Sequence, residues 1–540
     1  TRDNWDYYDK QMNLQPNTSY GSYEKVSDDP LAVKMTFADT AMWSDGVKVD
    51  AADVILAWGS ESGVFNNLTD DEKAGLYNDD YTLKPNAEGK VYFDTQLYGI
   101  DLIKDFPQLS DDSKTVTLTY SKPFADWEPY MLYFGMGLPA HIVAKRALGI
   151  DDPAAAKAAL IKAFQESDNI ALSKISNVWN NDWNFIKMPT DPDLLVGSGA
   201  YLINDYRENQ YVTLKPNPAY AGTHKAPVDT FTMRFNGDPM AAVQALQNGE
   251  VQVIYPQPTA DVLKALQELK DVEINTEPEA TFEHIDLVFR NNGPFDPQAY
   301  QGDADKALKV RRAFLKTVPR QTIVDNIIKP LSPTAEVRNS YNIVPGSPMY
   351  DATVAANGMV GEYGQVDVEG AKALLAEAGE KSPQVRILYD KNNVRRQQEF
   401  ALIKESAEQA GFKIIDGGDP SWGQKLMEDT YDASIFAWAT TTAGMTESAS
   451  YYVKDGMNNY NGYLRPEVTD LEDQIAVSLD PAAQQELNSK IEKYLLDDAY
   501  GLTIYQFPGM TAFNAKAVTG VDPIPLAPNF LWNFWEWKVS

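Results

Sequence analysis

The chain has 540 residues, a formal net charge of −30 from 77 acidic and 47 basic side chains, 44% hydrophobic residues and no cysteine. Its length exceeds that at which one core keeps growing, so two or three domains are expected. The charge leaves no basic face for nucleic acid or anionic membranes, and the missing cysteines exclude disulfides, thiolate metal sites and a cysteine nucleophile.

In chain order, "AVKMTFADTAMW" (residues 32–43) and "KTVTLTYSKPF" (114–124) alternate as half-buried strands do. "DDPAAAKAALIKAFQ" (151–165) places Asp152 and Pro153 as cap and first-turn residue of a helix. From Gly197, "GSGAYLINDYRENQYVTLKPNPAYAG" reads as two strands with Arg207, Glu208 and Asn209 at the hairpin tip. "DTFTMRFNGDPMAAVQALQNGEVQVIY" then gives strand, helix and strand, with Met240, Val243 and Leu246 on the helix's apolar side.

Beyond Thr276 a second α/β region opens. "ALKVRRAFLKTVPRQTIVDNII" is helical with a break near Pro319, and "DVEGAKALLAEAGE" is a capped helix ending at Gly379. Strands then alternate with long helices, which predicts a mostly parallel sheet. The tail returns to strands, and "PNFLWNFWEWKVS" is too aromatic to stay exposed, so it is expected to complete a sheet begun earlier.

Reactive signatures are missing. There is no G-x-S-x-G, H-E-x-x-H or P-loop pattern, and His141, His224 and His284 lie far apart in sequence, so neither a catalytic centre nor a metal site is expected. Glycoside hydrolysis is the enzymatic competitor, because it needs only two well-spaced carboxylates; nothing in the sequence selects a pair. No stretch has the ~18 apolar residues of a membrane span, and an opening at Thr1 reads as a processed or trimmed soluble form. The acidic runs at Asp28-Asp29, Asp70-Asp71-Glu72, Asp111-Asp112 and Asp151-Asp152 read as solvated turns and helix starts.

The stretch "MWSDGVKVDAADVILAW" (42–58) sets Asp45, Asp50 and Asp53 between two tryptophans. Asp45-Gly46 suits a turn. Asp50 precedes the apolar-periodic Ala51, Val54, Ile55 and Trp58, where it would cap a helix for about 1 kcal/mol, with Asp53 in the first turn.

"WSDGVKVDAADVILAW" resembles the tryptophan signature of the family 5 extracellular solute-binding proteins of ABC importers, the oligopeptide- and dipeptide-binding group. "GSGAYLINDYRENQYVTLKPNPAYAG", "AVQALQNGEVQVI" and "VRRAFLKTVPRQTIVDNI" are similar to further family blocks, in the family's order. Gln252 stands where Asp is usual and Pro319 where another Asp is usual.

The resemblance implies a bilobal type II periplasmic-binding-protein fold: two mixed α/β lobes with a hinge and an extra inserted α+β domain. Residues 1–195 would hold the start of lobe I and the insert, 196–276 lobe I, 277–499 lobe II, and 500–540 a return to lobe I. It implies an extracytoplasmic, cell-surface lipoprotein or periplasmic, carrier that captures oligopeptides by hinge closure for a membrane permease, is monomeric, uses no cofactor and catalyses nothing. An oligosaccharide-binding member of the same family is the alternative.

In peptide-binding relatives the ligand pairs its backbone with protein strands. The matching segment here offers Ala437, Trp438 and Ala439, followed by Thr440, Thr441 and Thr442. Thr441 occupies the position where several peptide binders carry an Asp for the ligand's ammonium group. Glu447 or Glu283 would then have to receive an amine, or the ligand has none. Phe282, Glu283 and His284 form a second candidate wall, of which alternation admits only about half, and Asn459 and Tyr460 in "DGMNNYNGY" are expected near the pocket mouth.

Overall fold

The computed structural model describes residues 2–78, 82–95, 99–135, 137–454 and 456–540. Thr1 and Asp455, the first residue of the "DGMNNYNGY" segment, lie outside them. The chain forms two compact units, residues 1–235 with 533–539, and residues 236–532.

In the first unit a four-stranded antiparallel sheet has the order Gly21–Asp28, Leu31–Phe37, Thr115–Thr119, Gln108–Leu109. Both alternating stretches are thus strands. Beside it are the helices Ala51–Glu61, Ala140–Leu148, Pro153–Gln165 and Asn169–Asn181. Asp152 caps the third of these, accepting from the Ala155 N–H, with Pro153 in its first turn.

The three aspartates of the tryptophan stretch have structural partners. Asp50 accepts from the Ala52 N–H, and Asp53 accepts from the Asp50 N–H in return. Asp53 also takes the Ala140 N–H and the Lys157 ammonium, so one buried carboxylate joins three segments. Gly46 supplies the positive φ of the turn (87°), and Asp45 bonds the His141 ring at 2.7 Å. Burial raises the Asp45 carboxyl, but the His141 bond and charge outweigh it and hold it below the usual carboxylate range.

A three-stranded sheet, Tyr201–Arg207, Tyr211–Pro216 and Phe231–Arg234, closes this unit. Arg207 pairs with Tyr211 in the ladder, so the hairpin tip is residues 208–210 and not 207–209. The aromatic tail packs here: Trp535 stacks on His224 at 3.9 Å, and Phe534 and Trp537 meet Tyr201 and Phe231.

In the second unit, Thr511–Asn514, and not the aromatic run from Pro528 that was expected to do so, inserts between Val253–Ile254 and Val272–Asn275, completing a sheet begun some 250 residues earlier. On the helix Pro239–Gln247, Val243 and Leu246 are buried but Met240 is exposed, so the apolar face is narrower than its spacing suggested. The helix Ala304–Leu315 stops before Pro319, and the chain resumes as Arg320–Ile323. Asp367 caps Val368–Ala378, and Gly379 ends it at φ 70°.

The largest sheet of this unit has the order Lys413–Asp416, Gln384–Leu388, Ala433–Trp438, Pro278–Leu287, Gly501–Pro508. The expected mostly parallel sheet is instead mixed. Its first three strands are parallel, two of them joined through the helix Val394–Gln409, whereas Pro278–Leu287 runs antiparallel to both its neighbours. Parallel pairing needs a crossover between the strands. The two antiparallel strands are separated by more than 200 residues and are not linked in that way.

Candidate ligand-binding site

The strand Ala433–Trp438 is the centre of this sheet and carries Ala437 and Trp438 of the expected site residues, while Phe282, Glu283 and His284 lie on its neighbour Pro278–Leu287. Its β-branched and aromatic residues suit a pleated, half-buried surface. On one side it pairs along its whole length with Pro278–Leu287: Phe282 faces Trp438, Glu283 faces Ala437 and His284 faces Phe436. On the other side its parallel neighbour stops at Leu388, opposite Ser434. Among the described residues, therefore, residues 435–438 have a strand neighbour on one side only.

Alternation parts the residues of the second candidate wall. Phe282 and His284 lie with Trp438 and Phe436. Trp438 is half-buried and stacks on Tyr451 (4.5 Å, 21° between planes), Tyr460 (6.0 Å, 22°) and His284 (5.8 Å, 10°). Parallel aromatic planes of this kind form a platform for apolar or π-faced ligand groups. His284 bonds Asp286 through Nδ1 at 2.9 Å, while its buried Nε2 has no partner among the described residues.

Glu283 goes elsewhere. It is fully buried, takes Arg395 at 2.8 Å and Arg396 at 2.7 Å, and belongs to a cluster with Glu399 and Tyr505. Burial pushes the Glu283 carboxyl up, but the two guanidinium groups outweigh it and hold it below its ordinary value. Burial and the Glu283 charge together raise the Glu399 carboxyl. With two arginines already on it and no exposed surface, Glu283 does not serve as a receptor for a ligand amine.

Past Trp438 the chain leaves the ladder. Ala439 and Thr441 are exposed. Thr440 donates its hydroxyl to the Ala280 carbonyl, and its own carbonyl accepts from the Ala527 N–H. Thr442 is buried and accepts from the Gly444 N–H. Glu447 is half-buried and its carbonyl holds Ser450. Asn459 spends its side chain on its own loop, donating to the Val453 and Tyr463 carbonyls and accepting from the Tyr463 N–H. Only the aromatic ring of Tyr460 reaches the platform.

Tyr451, Phe436 and the Arg395–Arg396 pair were missed from the sequence. The doublet Tyr451-Tyr452 just after the threonines was the available sign for the first; two arginines in a helical heptad gave none for the last.

Beneath the segment carrying Glu447, Ser448 donates to Glu472, whose other carboxylate oxygen is buried without a partner among the described residues. Burial raises the Glu472 carboxyl to about 8. The folded protein thus keeps this proton across a range where the unfolded chain has lost it, so stability falls as pH rises from about 4.5 to 8. Glu472→Gln should therefore stabilise the protein by on the order of 1–3 kcal/mol at pH 7–8 and change little near pH 4. Urea unfolding at both pH values checks this; equal effects at both would contradict it.

Residues 16–460 match the bacterial extracellular solute-binding proteins of family 5. An uncharacterized lipoprotein of Mycobacterium tuberculosis is 24% identical over 548 residues, covering 99% of this chain and 86% of its own. Among solved structures, a periplasmic EDTA-binding protein superposes with a TM-score of 0.76 at 22% identity, covering 100% of this chain and 90% of its own. The oligopeptide-binding protein AppA of Bacillus subtilis, solved with a nonapeptide, gives 0.68 at 16%, with 100% and 93% covered. These likenesses carry the bilobal periplasmic-binding-protein fold expected from the sequence, and with the match over most of its length the chain belongs to family 5 of the bacterial extracellular solute-binding proteins.

Proposed function

We propose that the protein is the extracytoplasmic substrate-binding component of an ABC importer, capturing oligopeptides by hinge closure and delivering them to a membrane permease. The observation that carries this reading is the half-buried strand end at Ala437 and Trp438, which among the described residues has a strand neighbour on one side only and is bordered by the Trp438 platform. An extended peptide adds to such an edge through main-chain hydrogen bonds, which hold any sequence, while aromatic walls accept varied side chains. The nonapeptide bound by AppA supports the class of cargo, and the lipoprotein relative supports an extracytoplasmic, membrane-tethered location. Ligand drives closure only by binding the closed state more tightly than the open one.

The exposed Thr441 favours a second reading. With Thr440 and the face of Trp438 it suits a hydroxylated ligand such as an oligosaccharide, and it lacks the charge that a peptide's ammonium group would seek. Calorimetric titration against a di- to hexapeptide library and an oligosaccharide panel separates the two; binding confined to sugars overturns the peptide assignment. Under the peptide reading, Thr441→Asp should raise affinity for peptides with a free N-terminus by about tenfold, close to 1.4 kcal/mol. N-acetylated peptides should gain nothing, and an equal gain for both would count against an amine subsite there.

A further inference from the structure

We propose that the first unit holds a second ligand site, independent of the strand edge, that takes a small organic cation: an ammonium or guanidinium group on a carbon skeleton. A cavity of about 530 Å³ lies in this unit, lined by Glu61 at the end of the helix Ala51–Glu61, by Trp179, Asn180 and Trp183 around the end of the helix Asn169–Asn181, and by Asp94. That volume is typical of pockets for small molecules.

The chemistry of the lining selects the charge of the occupant. Glu61 accepts the Thr95 hydroxyl at 2.7 Å, and Asp94 accepts the Tyr77 and Tyr92 hydroxyls at 2.6 and 2.9 Å. Among the described residues neither carboxylate forms an ion pair. Burial raises the Glu61 carboxyl, with only the Thr95 hydrogen bond acting against it. A carboxylate withdrawn from water without a cation is costly, and a bound cation removes that cost.

The two tryptophans point the same way. Trp179 and Trp183 bring indole rings, the best π-systems for holding a cation. The Trp183 indole N–H is buried and has no acceptor among the described residues, which leaves a donor for a polar group on the ligand. An anion would meet two carboxylates. Asp94 is exposed and hydrated, so a neutral sugar would stack on the indoles but leave the Glu61 charge uncompensated. The net charge of −30 also draws cations toward the protein as a whole.

Titration calorimetry with agmatine as the cationic probe, maltose as the neutral one and glutarate as the anionic one tests the site. Saturable agmatine binding is expected, at least tenfold weaker in Glu61→Gln and in Asp94→Asn, weakened in Trp183→Phe and unchanged in Trp438→Ala, with circular dichroism confirming each fold. The proposal is overturned if agmatine does not saturate up to millimolar concentrations, or if maltose or glutarate binds the same site as well. It is also overturned if both carboxamide variants bind like the wild type, or if Trp438→Ala abolishes the signal and so assigns it to the strand edge.

Discussion

Glu283→Ala should destabilise the second unit by about 3–5 kcal/mol, the cost of leaving buried guanidinium groups without their carboxylate. Arg395 and Glu283 are 1% and 0% exposed, and the Arg395 Nε and Nη2 already lack partners among the described residues, so water does not take up the freed charge. The two carboxylates of this cluster should behave in opposite ways. Glu283 is held ionised by Arg395 and Arg396, whereas burial and the charge of Glu283 favour the protonated form of Glu399. Glu399→Gln should therefore cost little at pH 7, while Glu283→Gln should cost several kcal/mol, softened as Glu399 ionises in its place.

The pH dependence follows from the depressed Glu283 pKa. Its stabilisation is present above the pKa of an unfolded glutamate and is lost as pH falls through the lower folded value. The gap between wild type and Glu283→Ala should then narrow in acid. Urea denaturation of the three variants at pH 7 and pH 4 measures this, and equal costs for Glu283→Gln and Glu399→Gln would refute the division of charge.

What could be read from the sequence was local. Asp50, Asp152 and Asp367 were legible as caps because a cap and the N–H groups it satisfies lie within three residues, and the signal is complete in one turn. The aromatic tail was legible because Phe534, Trp535 and Trp537 have too much apolar surface to leave in water. Alternation admitted only about half of Phe282, Glu283 and His284 to one face, but it says only that neighbours point apart. Which face meets Arg395 depends on a helix 112 positions later.

Direction in the sheet was illegible for the same reason. Pro278–Leu287 and Gly501–Pro508 meet across more than 200 residues, and nothing near either strand states its partner. Asn459 illustrates a third limit: a residue type that suits ligand binding is equally suited to clasping its own loop, and here it closes on Val453 and Tyr463.

Trp438→Ala should lower ligand affinity at the strand edge by at least about 100-fold, or about 2.7 kcal/mol. The indole stacks on Tyr451 and on Tyr460 in near-parallel planes, with His284 parallel as well, so its removal opens the platform instead of trimming it. Trp438→Phe keeps a ring and should lose only about tenfold. The same truncation also removes packing, which is worth about 3–5 kcal/mol when a tryptophan is deleted from a core. Two readouts separate the effects. Unfolding curves report the packing loss, and titration at a temperature where both variants remain folded reports the ligand. If Trp438→Ala binds like the wild type while losing stability, the aromatic stack is core alone, and the ligand must be held by the main chain at the half-buried end of the strand, Ala437 and Trp438, and the threonines that follow it.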